Sequence, residues 1–112
     1  MTAAAPDPPG RIWTVHEHGG AVLHLSGEID AATVASYEAG SPGRRMDGTA
    51  PAMVMALDTA AVTFMSAAGI SLLLRETAPL RAAGRRPVLR RPSRSVRRIL
   101  DLTGVGAFFD WR

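Results

Sequence analysis

Apolar and polar positions alternate twice near the start of the chain, and that alternation sets the first expectation. Ile12-Trp13-Thr14-Val15 and Ala21-Val22-Leu23-His24-Leu25 read as two strands joined near Gly19-Gly20. A three-residue loop, His18 to Gly20, puts Trp13, Val15, Ala21, Leu23 and Leu25 on one face. A two-residue loop scatters those residues over both faces, so the longer loop is expected. His16 and His24 then share the outer face, with His18 in the loop. Ser26-Gly27-Glu28-Ile29-Asp30 breaks the alternation, and Asp30 is placed to cap a helix over Ala31 to Ala39 whose inward residues are Val34 and Tyr37. Gly40 to Pro51 reads as loop. Met53-Val54-Met55-Ala56-Leu57 is an unbroken apolar run ending at Asp58, the pattern of a strand buried on both faces.

The second half switches to helical spacing. After Val62-Thr63-Phe64-Met65, Ser66 is a favoured N-cap, and Ile70, Leu73, Leu74 and Thr77 recur on one face. Pro79 cannot donate to the Arg75 carbonyl, so this helix is expected to kink or stop nearby, with Gly84 closing the unit. Pro87-Val88-Leu89 makes a short strand. Ser93 caps a last helix with Val96, Ile99 and Leu100 on one face and Arg94, Arg97, Arg98 and Asp101 on the other, ended by Gly104. Phe108, Phe109 and Trp111 finish as a short edge strand or a docked tail. The order β-β-α-β-α-β-α, with a possible final strand, predicts an α/β sheet with right-handed crossovers. Met1 to Gly10, with three prolines, reads as a disordered leader, and residues 11–112 as one folded domain.

Composition narrows the chemistry. At 112 residues and 46% apolar, the chain suits a single modest core. It has no cysteine, which excludes disulfides, thiolate metal sites and a cysteine nucleophile. No secretory signal is visible. The most apolar stretch, Val62 to Leu74, is too short to span a bilayer and contains Ser66, Gly69 and Ser71, so a cytoplasmic protein without membrane insertion is expected. Charge is uneven: residues 1–74 hold three arginines against seven acids, and residues 75–112 ten arginines against three acids. Such asymmetry points to nucleic acid, anionic lipid or an acidic protein. Lysine is absent altogether, however, and alanine is abundant, as in a GC-rich bacterial genome. No aromatic residues are interleaved with the arginines for base stacking, so a solvated basic face is preferred over a nucleic-acid site.

Other candidate groups are sparse. Glu28 and Asp30 fall on one side of an extended chain, as an acid/base pair requires, but nothing accompanies them as ligand or proton partner. A helix cap at Asp30 beside a solvent-facing Glu28 is the simpler reading. His16 and His24, on one expected face, lack a third ligand and a second shell for a metal. No cofactor is expected.

Three segments carry a resemblance. They are Leu25-Ser26-Gly27-Glu28-Ile29-Asp30; Leu57-Asp58 followed by Val62-Thr63-Phe64-Met65 and Gly69-Ile70; and Pro92 to Leu100 with Leu102-Thr103-Gly104. In this order and separation, over Val15 to Phe109, they resemble the STAS family, in particular its single-domain anti-sigma-factor antagonists. The resemblance implies a mixed four- to five-stranded sheet with helices on one side, and docking without chemistry. The implied partner is an anti-sigma factor of the ATP-binding serine-kinase fold, whose release of a sigma factor raises transcription. The implied surface comprises Glu28, Ile29, Asp30, Met65, Ser66, Ala67, Ala68, Gly69 and the exposed side of the following helix.

One departure bears on control. Phosphorylation-controlled members of the family read D-S-S/T-G where this chain has Ser66-Ala67-Ala68-Gly69. Ala67 stands at the phosphoacceptor position and has no nucleophilic oxygen. Ser66 is then either a helix N-cap, its expected role, or a displaced acceptor. The resemblance then implies either an antagonist that its kinase cannot silence or a diverged member that binds something else, such as a STAS interaction subunit of a signalling or transport assembly.

Overall fold

The computed structural model describes residues 9–40 and 52–112. The first eight residues of the expected leader and most of the loop expected over Gly40 to Pro51 lie outside them. Strand β1 (Gly10–Glu17) pairs antiparallel with β2 (Gly20–Ile29), and α1 (Ala31–Gly40) follows. Strand β3 (Val54–Met65), α2 (Ala67–Ala82), β4 (Val88–Arg90), α3 (Arg94–Thr103), a 3-10 turn (Val105–Phe108) and β5 (Asp110–Trp111) complete the order. The sheet runs β1-β2-β3-β4-β5, with β2 to β5 mutually parallel. Each parallel crossover joins neighbouring strands, and right-handed crossovers therefore stack the described helices on one face. The expected α/β architecture and final edge strand are both present.

Leucines in register form the floor of the core: Leu23 lies beside Leu57, and Leu57 beside Leu89, all fully buried. Leu72 and Leu73 from α2, Val96 and Leu100 from α3, Ile29 at the end of β2 and Val34 in α1 close over them. Truncating one such leucine to alanine costs about 2–5 kcal/mol in cores of this kind. The two-residue β5 is too short to hold by pairing alone. Phe109 is buried just before it, the Trp111 indole N–H donates to the Gly106 carbonyl at 2.8 Å, and Arg86 donates to the carbonyls of Ala107 and Phe109 at 2.8 Å each.

The hairpin corrects the expected register. Glu17 pairs with Gly20, so the loop is the two residues His18 and Gly19, with φ of 49° and 79°. Two positive φ values define the turn whose twist matches the flanking strands, and that geometry prevails over collecting every apolar residue on one face. Ala21, Leu23 and Leu25 face the helices with Ile12. Trp13 and Val15 lie opposite His24 and Val22 on the uncovered face, where they are 37% and 40% exposed. His16 pairs with Ala21 and so faces the other way from His24, which stacks on the Trp13 ring at 5.3 Å.

The apolar run does not end at Asp58 either. Strand β3 continues to Met65 because bulges against β2, near Met55, after Asp58 and at Thr63, absorb the polar interruption. At the second bulge the Asp58 carboxylate accepts from the Ala60 amide at 3.3 Å and from Arg91 at 2.9 Å. Helix α2 runs through Pro79 and ends three residues later at Ala82, with the Arg81 guanidinium donating to the Leu74 carbonyl at 2.7 Å.

Burial raises the Asp58 pKa, but the hydrogen bonds from Arg91 and Ala60 and the charges of Arg91 and His24 outweigh it and leave the group below its ordinary 3.8. A depressed folded pKa means stability that is present above 3.8 and lost as pH falls through the folded value. In urea titrations, Asp58→Asn should therefore be less stable than the unmodified chain near neutrality, and the difference should shrink below about pH 4. At the turn, His18→Asn should stabilise by about 0.5 kcal/mol and Gly19→Ala destabilise by about 1 kcal/mol, since only small or Asx-type residues accept positive φ cheaply.

Candidate functional site

Two chain junctions lie side by side at one end of the sheet because β2 and β3 are parallel and finish together. Ile29 is in register with Met65, and the Ser66 amide donates to the Ile29 carbonyl at 2.9 Å. The β2–α1 and β3–α2 turns are thus one hydrogen-bonded unit.

On the first junction Asp30 caps α1, as the sequence leads one to expect. Its Oδ1 accepts from the Thr33 amide at 2.9 Å, and the Thr33 hydroxyl donates to the Glu28 carbonyl at 3.0 Å. The Thr33 amide holds the Asp30 carboxyl below its ordinary pKa. That carboxylate is committed to the helix. Thr33 is itself buried, a support that the weak amphipathicity of α1 does not announce. Among the described residues, no group of three or more His, Asp or Glu side chains is arranged to hold a metal ion.

On the second junction Ser66 occupies the N-cap position of α2, but the expected side-chain cap is not made. Its Oγ is enclosed in the protein with no hydrogen-bond partner, instead of reaching the first-turn amides. A buried hydroxyl left unpaired costs about 1–3 kcal/mol. An enclosed oxygen is also not presented to a phosphate donor in this conformation. Ala67, one residue on, is exposed; Ala68 is half-buried. Glu28 and Ala67 with the half-exposed Asp30, Ser66 and Ala68 form the surface, and the buried Ile29, Met65 and Gly69 hold it together. The exposed side of α2 continues from Ala67 through Ser71 and Arg75, the latter paired with Glu38 at 3.3 Å.

Beside this surface, Phe64 is 51% exposed. It and Met65 line a groove of about 210 Å³ closed by Ser95, Arg98, Ile99 and Leu102 of α3. Strict alternation from the buried Val62 would leave Thr63 exposed but bury its neighbour Phe64. The bulge at Thr63 instead leaves both exposed and Met65 buried, and no feature of the linear pattern marks it.

Gly69 fixes how closely the two junctions approach. A Cβ there would sit 2.7 Å from Met65 Cγ, 3.0 Å from Ile29 Cγ2 and 3.3 Å from the Ile29 carbonyl. Gly69→Ala should force β2 and α2 apart and lower stability by about 1–3 kcal/mol in denaturant unfolding, the usual cost of overpacking.

The STAS domain family matches residues 13–112. No curated protein matches the sequence. Among solved structures, the chain resembles the anti-sigma factor antagonist SpoIIAA in its unphosphorylated form, at 23% identity and a TM-score of 0.65, over 90% of this chain and 87% of that one. An anti-sigma factor antagonist from Mycobacterium paratuberculosis is 26% identical with a TM-score of 0.59, over 97% and 89%. The Bacillus cell fate determinant SpoIIAA in its phosphorylated form is 22% identical with a TM-score of 0.59, over 90% of each chain. With its foldable length matched almost throughout, the chain belongs to the STAS domain family.

Proposed function

We propose that the chain is an anti-sigma-factor antagonist that docks a kinase-fold anti-sigma factor through the joined β2–α1 and β3–α2 junctions and does so without phosphoserine control. The observation that carries this reading is Ala67, exposed at the first position of α2 beside Asp30 and Glu28. A phosphate on a serine there would add about −1.5 to −2 charges at neutral pH. The helix N-terminus would stabilise that group within its own protein while its bulk and charge kept a partner away. Alanine keeps that position small and uncharged. Docking needs no chemistry from this chain, no cofactor and no metal.

The arginine excess does not redirect the reading toward nucleic acid. Arg75, Arg90, Arg91 and Arg112 are in ion pairs, and Arg81, Arg86 and Arg97 donate to backbone carbonyls. The same Ala67 also favours a second reading, a STAS interaction subunit of a signalling or transport assembly, and affinity purification from the host separates the two by the partners recovered.

Calorimetric titration of the purified chain with each kinase-fold anti-sigma factor of its genome should find at least one that binds; binding to none overturns the proposal. Incubation with that factor and ATP should leave the chain unmodified by mass spectrometry, and phosphate mapped to Ser66 would contradict the enclosed Oγ. Replacing Ser66-Ala67-Ala68 by Asp-Ser-Ser should create a phosphorylatable variant whose affinity drops once modified.

A further inference from the structure

The groove beside the junction has the anatomy of an anchor pocket. Its walls are apolar: Phe64, Met65, Ile99 and Leu102, with Leu102 73% exposed and Phe64 51% exposed. Contiguous exposed apolar surface rimmed by polar residues is a mark of protein interaction sites. The walls are also set. The Ser95 hydroxyl donates to the Thr63 carbonyl at 2.8 Å, tying α3 to the end of β3, and Ser93 caps α3 by accepting from the Val96 amide. The buried Met65 lies behind both the groove and the junction, so one residue supports the two.

The rim carries uncompensated charge. Four arginines of the C-terminal half are paired with carboxylates, yet Arg98, which lines the groove, and Arg94, one turn back on the same helix, are exposed and have no carboxylate partner among the described residues. Asp101, also on α3, is exposed and forms no ion pair among the described residues. An apolar slot edged by free guanidinium groups selects an apolar side chain that brings carboxylates with it.

We propose that this groove takes a leucine- or phenylalanine-sized side chain from an acidic, amphipathic segment of the protein partner, with Arg98 and Arg94 meeting the flanking carboxylates. The site would set which partner is chosen, while the β3–α2 junction provides the common surface. For the partner's identity, though not for the chemistry of the groove, the inference rests on the docking reading above.

The test uses the full chain, isotope-labelled for NMR, and two synthetic helical peptides: one of leucine and glutamate in amphipathic spacing, and its copy with lysine for glutamate. The acidic peptide should shift the resonances of Phe64, Ser95, Ile99 and Leu102, with Arg98→Glu weakening the response about tenfold and raised salt weakening it further. Equal response to both peptides, or shifts lying elsewhere, overturns the proposal, as does an unaltered response in Arg98→Glu. With an anti-sigma factor that binds the unmodified chain, Leu102→Asp and Phe64→Ala should each reduce affinity about tenfold or more with unchanged circular dichroism and melting. Both side chains are exposed, so the folded state tolerates their loss, and full affinity in these variants refutes the groove's role. Loss of a self-associated dimer in Leu102→Asp, seen by light scattering, would make the occupant a second copy and refute it too. If no anti-sigma factor binds the unmodified chain, the sigma reading fails while the peptide titration still decides the groove.

Discussion

Ile29 is where the fold and the surface depend on one another. Its side chain is fully buried beneath Gly69, and its carbonyl takes the Ser66 amide, so one residue ends β2 and positions the start of α2. The approach is possible because position 69 has no Cβ. The parallel pairing of β2 with β3 brings the two junctions to the same end, and Asp30 and Thr33 then turn the chain away into α1. Moving any one of these parts separates Ala67 from Glu28 and Asp30. The surface is therefore a property of the sheet's termini and not of a loop that could be exchanged on its own.

Local chemistry explains which parts of this arrangement could be read in the linear pattern. Caps at Asp30 and Ser93, the left-handed residue at Gly104 and the amphipathic stripe of α3 all act within a few residues, and each stands where the spacing puts it. The hairpin register could not be read the same way. There the twist requirement of the turn competes with hydrophobic sorting, and an edge strand such as β1 tolerates Trp13 and Val15 on an open face because His24 and Val22 cover part of each. The length of β3 was hidden for a related reason: bulges change the side-chain period, and periodicity arguments assume it constant. The unpaired Ser66 hydroxyl shows that a preferred cap residue in the right place need not make the cap. The groove at Phe64 depends on one of those bulges and on α3 arriving from thirty residues further along, which no local window contains.

The arginine-rich half looks different once folded. A large share of its charge is used internally: Arg91 steadies the bulge at Asp58, Arg90 reaches Glu17 on the hairpin, and Arg86 ties down the tail before β5. Exposed pairs of this sort contribute little each, typically below about 1 kcal/mol. Among the arginines that form no ion pair in the described residues, Arg94, Arg97 and Arg98 lie together on α3, next to the apolar groove.

On the antagonist reading, alanine at position 67 has a consequence for how docking would be governed. A phosphate changes affinity at constant concentration, because it alters the surface of every molecule that carries it. An alanine surface has one affinity, and the fraction of partner held then follows from the amounts present, by mass action. On the antagonist reading, control passes to synthesis and degradation of this chain, or to the partner's own nucleotide and binding state. It also raises the value of selectivity. A domain that is always competent to bind has no second chance to refuse the wrong partner by being modified, so discrimination must be built into the contact itself. On that reading, the groove proposed beside the junction would supply the discrimination without any moving part.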